Sequence, residues 1–237
     1  NRALDAARGT WIAVVDGDDL LHPDRLRLLV ERAEADRADI AADDLLVFDD
    51  TGAAPPHRLL GDRMGGAPAW IDPADYVRLN APYSPGPVLG YLKPLIRREA
   101  LERRALRYDE TLRIAEDSDL MLRLMLGGAR FRVYPAMLTY FYRKHGASIS
   151  HRRPPDVVRA MIAANRAPLD QAPADLPAAR RAAVGAALDH AAVRMADELA
   201  FNDLVDALKA RRPVAAGRAV INRPAVLKPL FGVFRER

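Results

Sequence analysis

A short apolar run, Trp11-Ile12-Ala13-Val14-Val15, breaks off into Asp16-Gly17-Asp18-Asp19. An apolar run of this length closed by polar turn residues reads as a strand, because it is too short for an ordinary helix. Three carboxylates within four positions repel one another, so the loop is either a solvated turn or the wall of a cation site. A set made only of oxygens suits Mg2+ or Mn2+ rather than a thiolate-seeking metal. Gly17 lets the backbone turn so that Asp16 and Asp18 can face one ligand.

The segments around this loop set the fold class. Residues 1–8 read as the end of a helix stopped by Gly9. After the loop, Pro23 and Asp24 sit where a helix can begin, and Leu26, Leu29 and Val30 give that helix an apolar face as far as Asp36. Residues 39–50 hold a strand, or two short ones. Strand, helix, strand is the rhythm of an α/β sheet. Residues 51–70 read as loop, 72–79 as a short helix with Pro73 at its start, and the Pro/Gly-rich 80–90 as loop again. Glu116-Asp117-Ser118-Asp119 opens a helix with Leu120, Met121, Leu124 and Met125 on its core side, ending at Gly127-Gly128. Two strands, 130–134 and 137–142, are expected on either side of Pro135.

From Pro154 the character changes. Residues 157–164 are helical, 168–177 a linker, and 178–210 a long helix whose buried side is expected to use Leu188, Val193, Leu199, Val205 and Leu208. This gives a first region, 1–151, and a helical C-terminal region, 152–237.

The 237 residues contain no cysteine, which removes disulfides, thiolate metal sites and cysteine nucleophiles together. No apolar run reaches the length of a membrane span. Residues 1–60 hold 13 acidic and 7 basic side chains, whereas 204–237 hold 2 acidic and 8 basic. The basic end, which includes Val226, Leu227, Leu230, Phe231, Val233 and Phe234, suits either subunit packing or peripheral contact with a membrane. Aromatics form no stacking-platform pattern, so nucleic acid is not an expected partner.

Three separated stretches agree with one family: Asn1-Arg2-Ala3-Leu4 through Asp16-Gly17-Asp18-Asp19, the Glu116-Asp117 pair, and Tyr142-Arg143-Lys144-His145-Gly146-Ala147-Ser148. In their order and separation the chain resembles the family 2 glycosyltransferases of the GT-A (nucleotide-diphospho-sugar transferase) fold, and most of all the bacterial enzymes that build exopolysaccharides such as succinoglycan. The resemblance covers about residues 1–151. It implies a partial GT-A fold, because family members begin with a strand, a helix and a second strand before the position of Asn1. Those segments form the first half of the nucleotide pocket.

The same resemblance implies roles for individual residues. Asp16 is placed on the nucleotide side, and Asp18 on a Mn2+ or Mg2+ ion that bridges the donor diphosphate. Asp117 becomes the general base that deprotonates an acceptor hydroxyl, with Glu116 orienting neighbouring groups. His145 is placed near metal and diphosphate, with Arg143, Lys144 and Ser148 available to the same phosphates. Asp19 is a candidate acceptor contact; apart from the resemblance, Trp70, Tyr83 and Tyr91 are either ring faces for an acceptor sugar to stack on or, by the favoured reading, ordinary core or loop anchors. Asp119 is expected on a solvated helix face. His22, His57, His151 and His190 have no supporting constellation. The implied reaction transfers a sugar, with inversion, from a nucleotide-diphosphate donor, a UDP-sugar foremost, to a saccharide or lipid-linked saccharide. It implies a cytoplasmic enzyme, or one peripheral to the inner face of the cell membrane. The competing classes are a metal-dependent phosphoryl hydrolase built on the Asp cluster and a degenerate, non-catalytic transferase-like interaction module.

Overall fold

The structure, a computed structural model, describes residues 1–52, 54–112, 114–144 and 154–226, apart from the side chain of Ala225. A short helix α1 (Arg2–Ala6) leads into strand β1 (Trp11–Ala13), the acidic loop and a two-residue strand β2 (Leu20–Leu21). Helix α2 (Arg25–Asp36), strand β3 (Ile40–Asp49), strands β4 (His57–Arg58) and β5 (Ala69–Ile71), and helix α3 (Pro73–Asn80) follow. Then come β6 (Leu95–Arg97), α4 (Arg98–Glu102), α5 (Glu116–Leu126) and β7 (Phe131–Lys144). Helices α6 (Pro155–Ala164), α7 (Ala167–Asp170), α8 (Ala178–Lys209) and α9 (Pro213–Asn222) complete the described chain.

The strands form one mixed sheet in the order β1-β6-β3-β7-β2, with β4 added to β3 and β5 to β7. Only β3 and β7 run parallel; the other pairs are antiparallel. Both faces of β3 are covered, and its residues 40–45 are buried without alternation, as a two-sided central strand requires. One core cluster joins this sheet to α5 through Leu120, Met121, Leu124 and Met125. A second is shared between α3, α5 and the C-terminal helices: Ala74, Val77 and Leu122 meet Leu169, Val184, Leu188 and Ala191.

Several sequence expectations are corrected. The two strands around Pro135 are one strand, β7, with an irregularity. Its pairing with β3 runs Ile40↔Phe131 to Asp43↔Tyr134, then resumes at Asp44↔Leu138 and Leu45↔Tyr140. Residues 135–137 are therefore extra, and proline is accommodated because no ladder N–H is needed there. The presumed loop 51–70 carries β4 and the start of β5, and the linker 168–177 carries α7. Leu26, placed on the buried side of α2, is 46% exposed, while Arg25 is fully buried. On α8, Val193 and Leu208 face outward and the inward face is built from Val184, Ala187, Leu188, Ala191, Met195, Leu204 and Ala207. Small residues let α8 approach α3 closely, and summed hydrophobicity does not reveal that choice. Val226 is buried against Leu204, Ala207 and Ala216 rather than offered to a membrane.

The irregularity in β7 has a polar core. The Asp43 carboxylate accepts from the Thr139 backbone N–H at 3.1 Å and from the Thr139 hydroxyl. It also binds the Arg25 guanidinium at 2.9 Å, and both side chains are wholly inaccessible. The next residue, Asp44, accepts from the N–H groups of Leu45 and Leu60, each at 2.8 Å, and from Arg58 Nε at 2.9 Å. Backbone donors that a bulge would leave unpaired are thus satisfied by inward carboxylates. Removing one partner of a buried ion pair leaves the other uncompensated, at a cost of about 3–5 kcal/mol. Arg25→Met is accordingly expected to lower the urea-unfolding free energy by about that amount, and a loss under 1 kcal/mol would contradict this account.

Candidate functional site

Strand register carries the acidic loop to its partners. β1 pairs with β6 as Trp11↔Arg97, Ile12↔Ile96 and Ala13↔Leu95. The pairing continues past the strand, with Val14 N–H donating to Pro94 O at 3.1 Å. Two residues on, Asp16 comes beside Lys93, and Asp16 Oδ2 lies 2.8 Å from Lys93 Nζ. The Lys93 side chain is 9% exposed and the Asp16 side chain 43%. Burial works against the Lys93 charge, but the hydrogen bond and charge of Asp16, helped by Asp117, hold the ammonium above its ordinary pKa.

The other side of the loop is tied to the far end of β7. Leu20 pairs with Phe141 and Leu21 with Tyr140. Tyr140 Oη donates to Asp19 Oδ2 at 2.6 Å and accepts from the Asp16 N–H at 3.2 Å. Burial, followed by the Asp19 hydrogen bond, pushes the Tyr140 hydroxyl pKa well up, so it remains a donor. Asp19 Oδ1 accepts from the Arg143 N–H at 2.7 Å. The Arg143 guanidinium donates to Asp18 O at 2.8 Å and to Asp50 Oδ1 at 2.9 Å. Asp19 therefore braces the loop from within, whereas Asp18 is the exposed carboxylate at its tip.

Helix α5 supplies the second acidic pair. Ala115, just before it, adopts a left-handed conformation with φ 69°, which costs a residue bearing a Cβ about 1–2 kcal/mol. Such strain immediately before a functional pair is a recurrent arrangement. The Tyr108 hydroxyl lies in the field of Asp117, and its pKa is driven up by burial first and then by Asp117. Glu116 is raised above its ordinary value by burial, with Asp117 and Asp16 adding to the effect and Lys93 opposing it. Asp16, Lys93, Tyr108, Glu116 and Asp117 thus form one electrostatic cluster at the end of β1 and the start of α5. Gly90 lines its margin, where a Cβ would come 3.0 Å from Ser118 Oγ.

The structure therefore brings together Asp16, Asp18, Asp19, Arg143, Glu116 and Asp117. It does not bring Trp70 there. That ring lies on β5 beside the opposite end of β7, 43% exposed, with the guanidinium carbons of Arg130 and Arg132 at 4.2 and 4.8 Å. Tyr91 packs edge-on against Tyr142 and joins the main core. Tyr83 lies under Arg194. Asp119 is not on a solvated face: it is bound by Arg123 in a pair with both side chains 12% exposed. His145, Ser148 and His151 lie outside the described residues, as does the terminal stretch 227–237.

Sequence reasoning missed Lys93, Tyr108, Tyr140 and Asp50. One signal pointed to Lys93: it is the sole lysine before Lys144 in a chain that otherwise uses arginine throughout this region. A compact ammonium, unlike a planar guanidinium, can sit between carboxylates in a narrow space.

The described residues contain no ready-made group of three His, Cys, Asp or Glu side chains around a metal position. Mg2+ commonly binds through one or two carboxylates together with substrate phosphates. Asp18, the exposed carboxylate at the loop tip, suits that mode of binding.

The carboxylate loop at the end of β1 and the acidic start of α5 thus meet around one buried lysine, paired with Asp16. Comparison with known proteins gives this site a family context. Residues 1–104 match the family described as Glycosyl transferase family 2. The chain is similar to the succinoglycan biosynthesis protein ExoO of Rhizobium meliloti, 35% identical over 232 residues, covering 97% of this chain and 64% of ExoO. ExoU, a succinoglycan biosynthesis protein of the same organism, is 35% identical over 179 residues, or 70% of this chain and 50% of ExoU. The chain thus spans between half and two thirds of these curated relatives. In fold it resembles S. aureus TarS 1-349, crystallised with UDP-GlcNAc, with a TM-score of 0.58 over 92% of this chain and 69% of that one at 14% identity.

The raised pKa of Glu116 has a definite consequence for stability. A carboxyl that holds its proton more tightly when folded stabilises the fold fully below its unfolded pKa, and that contribution is lost as pH rises through the folded value. Glu116→Gln keeps the shape without the ionisation. Its stability relative to the native chain, measured by denaturant unfolding, is expected to climb as pH rises through the carboxylate range and then to level off. A difference independent of pH would show that burial does not act on this group.

Proposed function

We propose that the chain carries the catalytic part of a GT-A-type glycosyltransferase. It would move a sugar from a nucleoside-diphosphate donor, a UDP-sugar foremost, to a saccharide or lipid-linked saccharide acceptor during exopolysaccharide synthesis. The observation that carries this reading is the buried Lys93, paired with Asp16 at the end of β1 at 2.8 Å and lying in the field of Asp117 at the start of α5. Kinship with succinoglycan enzymes favours sugar transfer over phosphoryl hydrolysis. Likeness to the fold of TarS, crystallised with UDP-GlcNAc, supports a uridine donor.

In this proposal Asp18 holds a divalent cation together with the donor diphosphate, and the cation supplies charge neutralisation to that leaving group. Lys93 anchors Asp16 on the nucleotide side. Arg143, held by Asp50 and the Asp18 carbonyl, adds positive charge at the loop margin, with His145 a further candidate. Asp117 takes the proton of the acceptor hydroxyl as that oxygen attacks the anomeric carbon from the face opposite the diphosphate, which inverts the centre. Tyr108 lies in the field of the Asp117 carboxylate, and Glu116 shapes the field on the acceptor side.

General-base removal costs about 10²–10⁴-fold in turnover. Asp117→Asn is expected to lose that much kcat in a UDP-sugar transfer assay while donor affinity stays within about threefold, and native products are expected to carry the inverted anomer. Retained turnover in the variant would remove Asp117 from the base role.

A further inference from the structure

The most exposed large aliphatic side chains in the described structure are Val214, 77% exposed, and Ile221, 79% exposed, both on α9. Seven residues apart, they lie about two turns from each other on one helix face. The opposite face of α9 is occupied: Ala216, Ala219 and Val220 pack on Phe201, Leu204 and Ala207 of α8. Leu208, 54% exposed, ends α8 beside the same corner. Isolated exposed aliphatics are ordinary on a protein surface, but a run of three at one corner is not.

The segment after Leu208 carries charges of one sign, while Asp203 and Asp206 are exposed on the last turns of α8 before it. From Leu208 to Arg223 the sequence contains Lys209, Arg211, Arg212, Arg218 and Arg223 and no acidic residue. Arg223 is committed to Asp197, whereas the other four cations make no ion pair among the described residues. Arg218 stands one turn from Val214 on its outward face. Residues 209–212 form the tight turn between the helices, where Arg211 has φ 53°.

We infer that the α8–α9 corner docks on an anionic lipid bilayer. Val214, Ile221 and Leu208 would enter the boundary between headgroups and acyl chains, while Lys209, Arg211, Arg212 and Arg218 meet the lipid phosphates. Long basic side chains reach past an apolar stripe to that level. The inference is independent of the transfer reading, since lipid binding is measured without donor or acceptor. It also relocates the membrane contact expected of the terminal stretch to a surface whose side chains are described.

The test is co-sedimentation of the full chain with phosphatidylcholine vesicles containing phosphatidylglycerol, beside vesicles of phosphatidylcholine alone. Binding is expected only to the anionic vesicles and should weaken as salt rises. Val214→Asp/Ile221→Asp is expected to lower the partition coefficient at least tenfold with Tm unchanged, because both positions face solvent. Arg212→Gln/Arg218→Gln should lower it about fivefold per charge, and Leu26→Asp, on α2, should leave it unchanged. No binding to anionic vesicles would overturn the inference. So would full binding by the double aspartate variant, which would assign binding to another surface. A large fall in Tm in that variant would also overturn it, by showing that the face packs against protein.

Discussion

A guanidinium and a carboxylate buried together, Arg25 and Asp43, hold the centre of this molecule. Such a pair is weak grounds for stability by itself, because desolvation offsets much of the attraction. Its importance lies in what it touches. Asp43 takes the backbone donor freed where β7 departs from β3, and Arg25 also binds the Lys93 carbonyl at 2.5 Å. The same guanidinium lies 4.9 Å from the centre of the Tyr140 ring. One buried pair therefore sets the course of β7, the segment that carries Lys93 and the ring that carries the Tyr140 hydroxyl.

Each of those contacts ends in the acidic loop. Lys93 neutralises Asp16, and Tyr140 braces both Asp19 and the Asp16 N–H. The mutual repulsion that the loop sequence implies is relieved at Asp16 by the Lys93 charge and tempered at Asp19 by two hydrogen bonds, and Asp18 is the exposed carboxylate at the tip. The α5 carboxylates sit within the field of the same lysine, so the two acidic motifs are electrostatically one site. A ligand carrying a diphosphate would enter a place where loop, lysine and arginine are already ordered, and preorganisation of this kind is the usual source of electrostatic catalysis.

Much of the layout was legible in the sequence because it rests on local signals. The run ending at Val15, Pro73 at the start of α3, and Gly127-Gly128 after α5 mark elements by turn chemistry and periodicity. The candidate carboxylates were legible from clustering, and their grouping came from a family resemblance. What escaped depends on contacts far apart in the chain. Lys93 lies in an unremarkable Leu-Lys-Pro stretch, and only the β1–β6 register brings it to Asp16. Tyr140 donates to Asp19 because the β2–β7 register carries it there. Leu26 read as part of the buried face of α2, but the buried place goes to Arg25, whose charge pairs with Asp43 beneath the β7 irregularity. The inward face of α8 was misjudged for a related reason: close helix approach selected alanine there, while Val193 and Leu208 turned outward.

The most direct measurement is calorimetric titration of the chain with UDP, with and without Mn2+, beside Asp18→Ala. The account predicts binding that strengthens at least tenfold with the metal and loses that gain in the variant. Binding indifferent to both the metal and Asp18, or no binding of UDP or GDP at all, would contradict the assignment of the Asp16–Asp19 loop as a diphosphate and cation site.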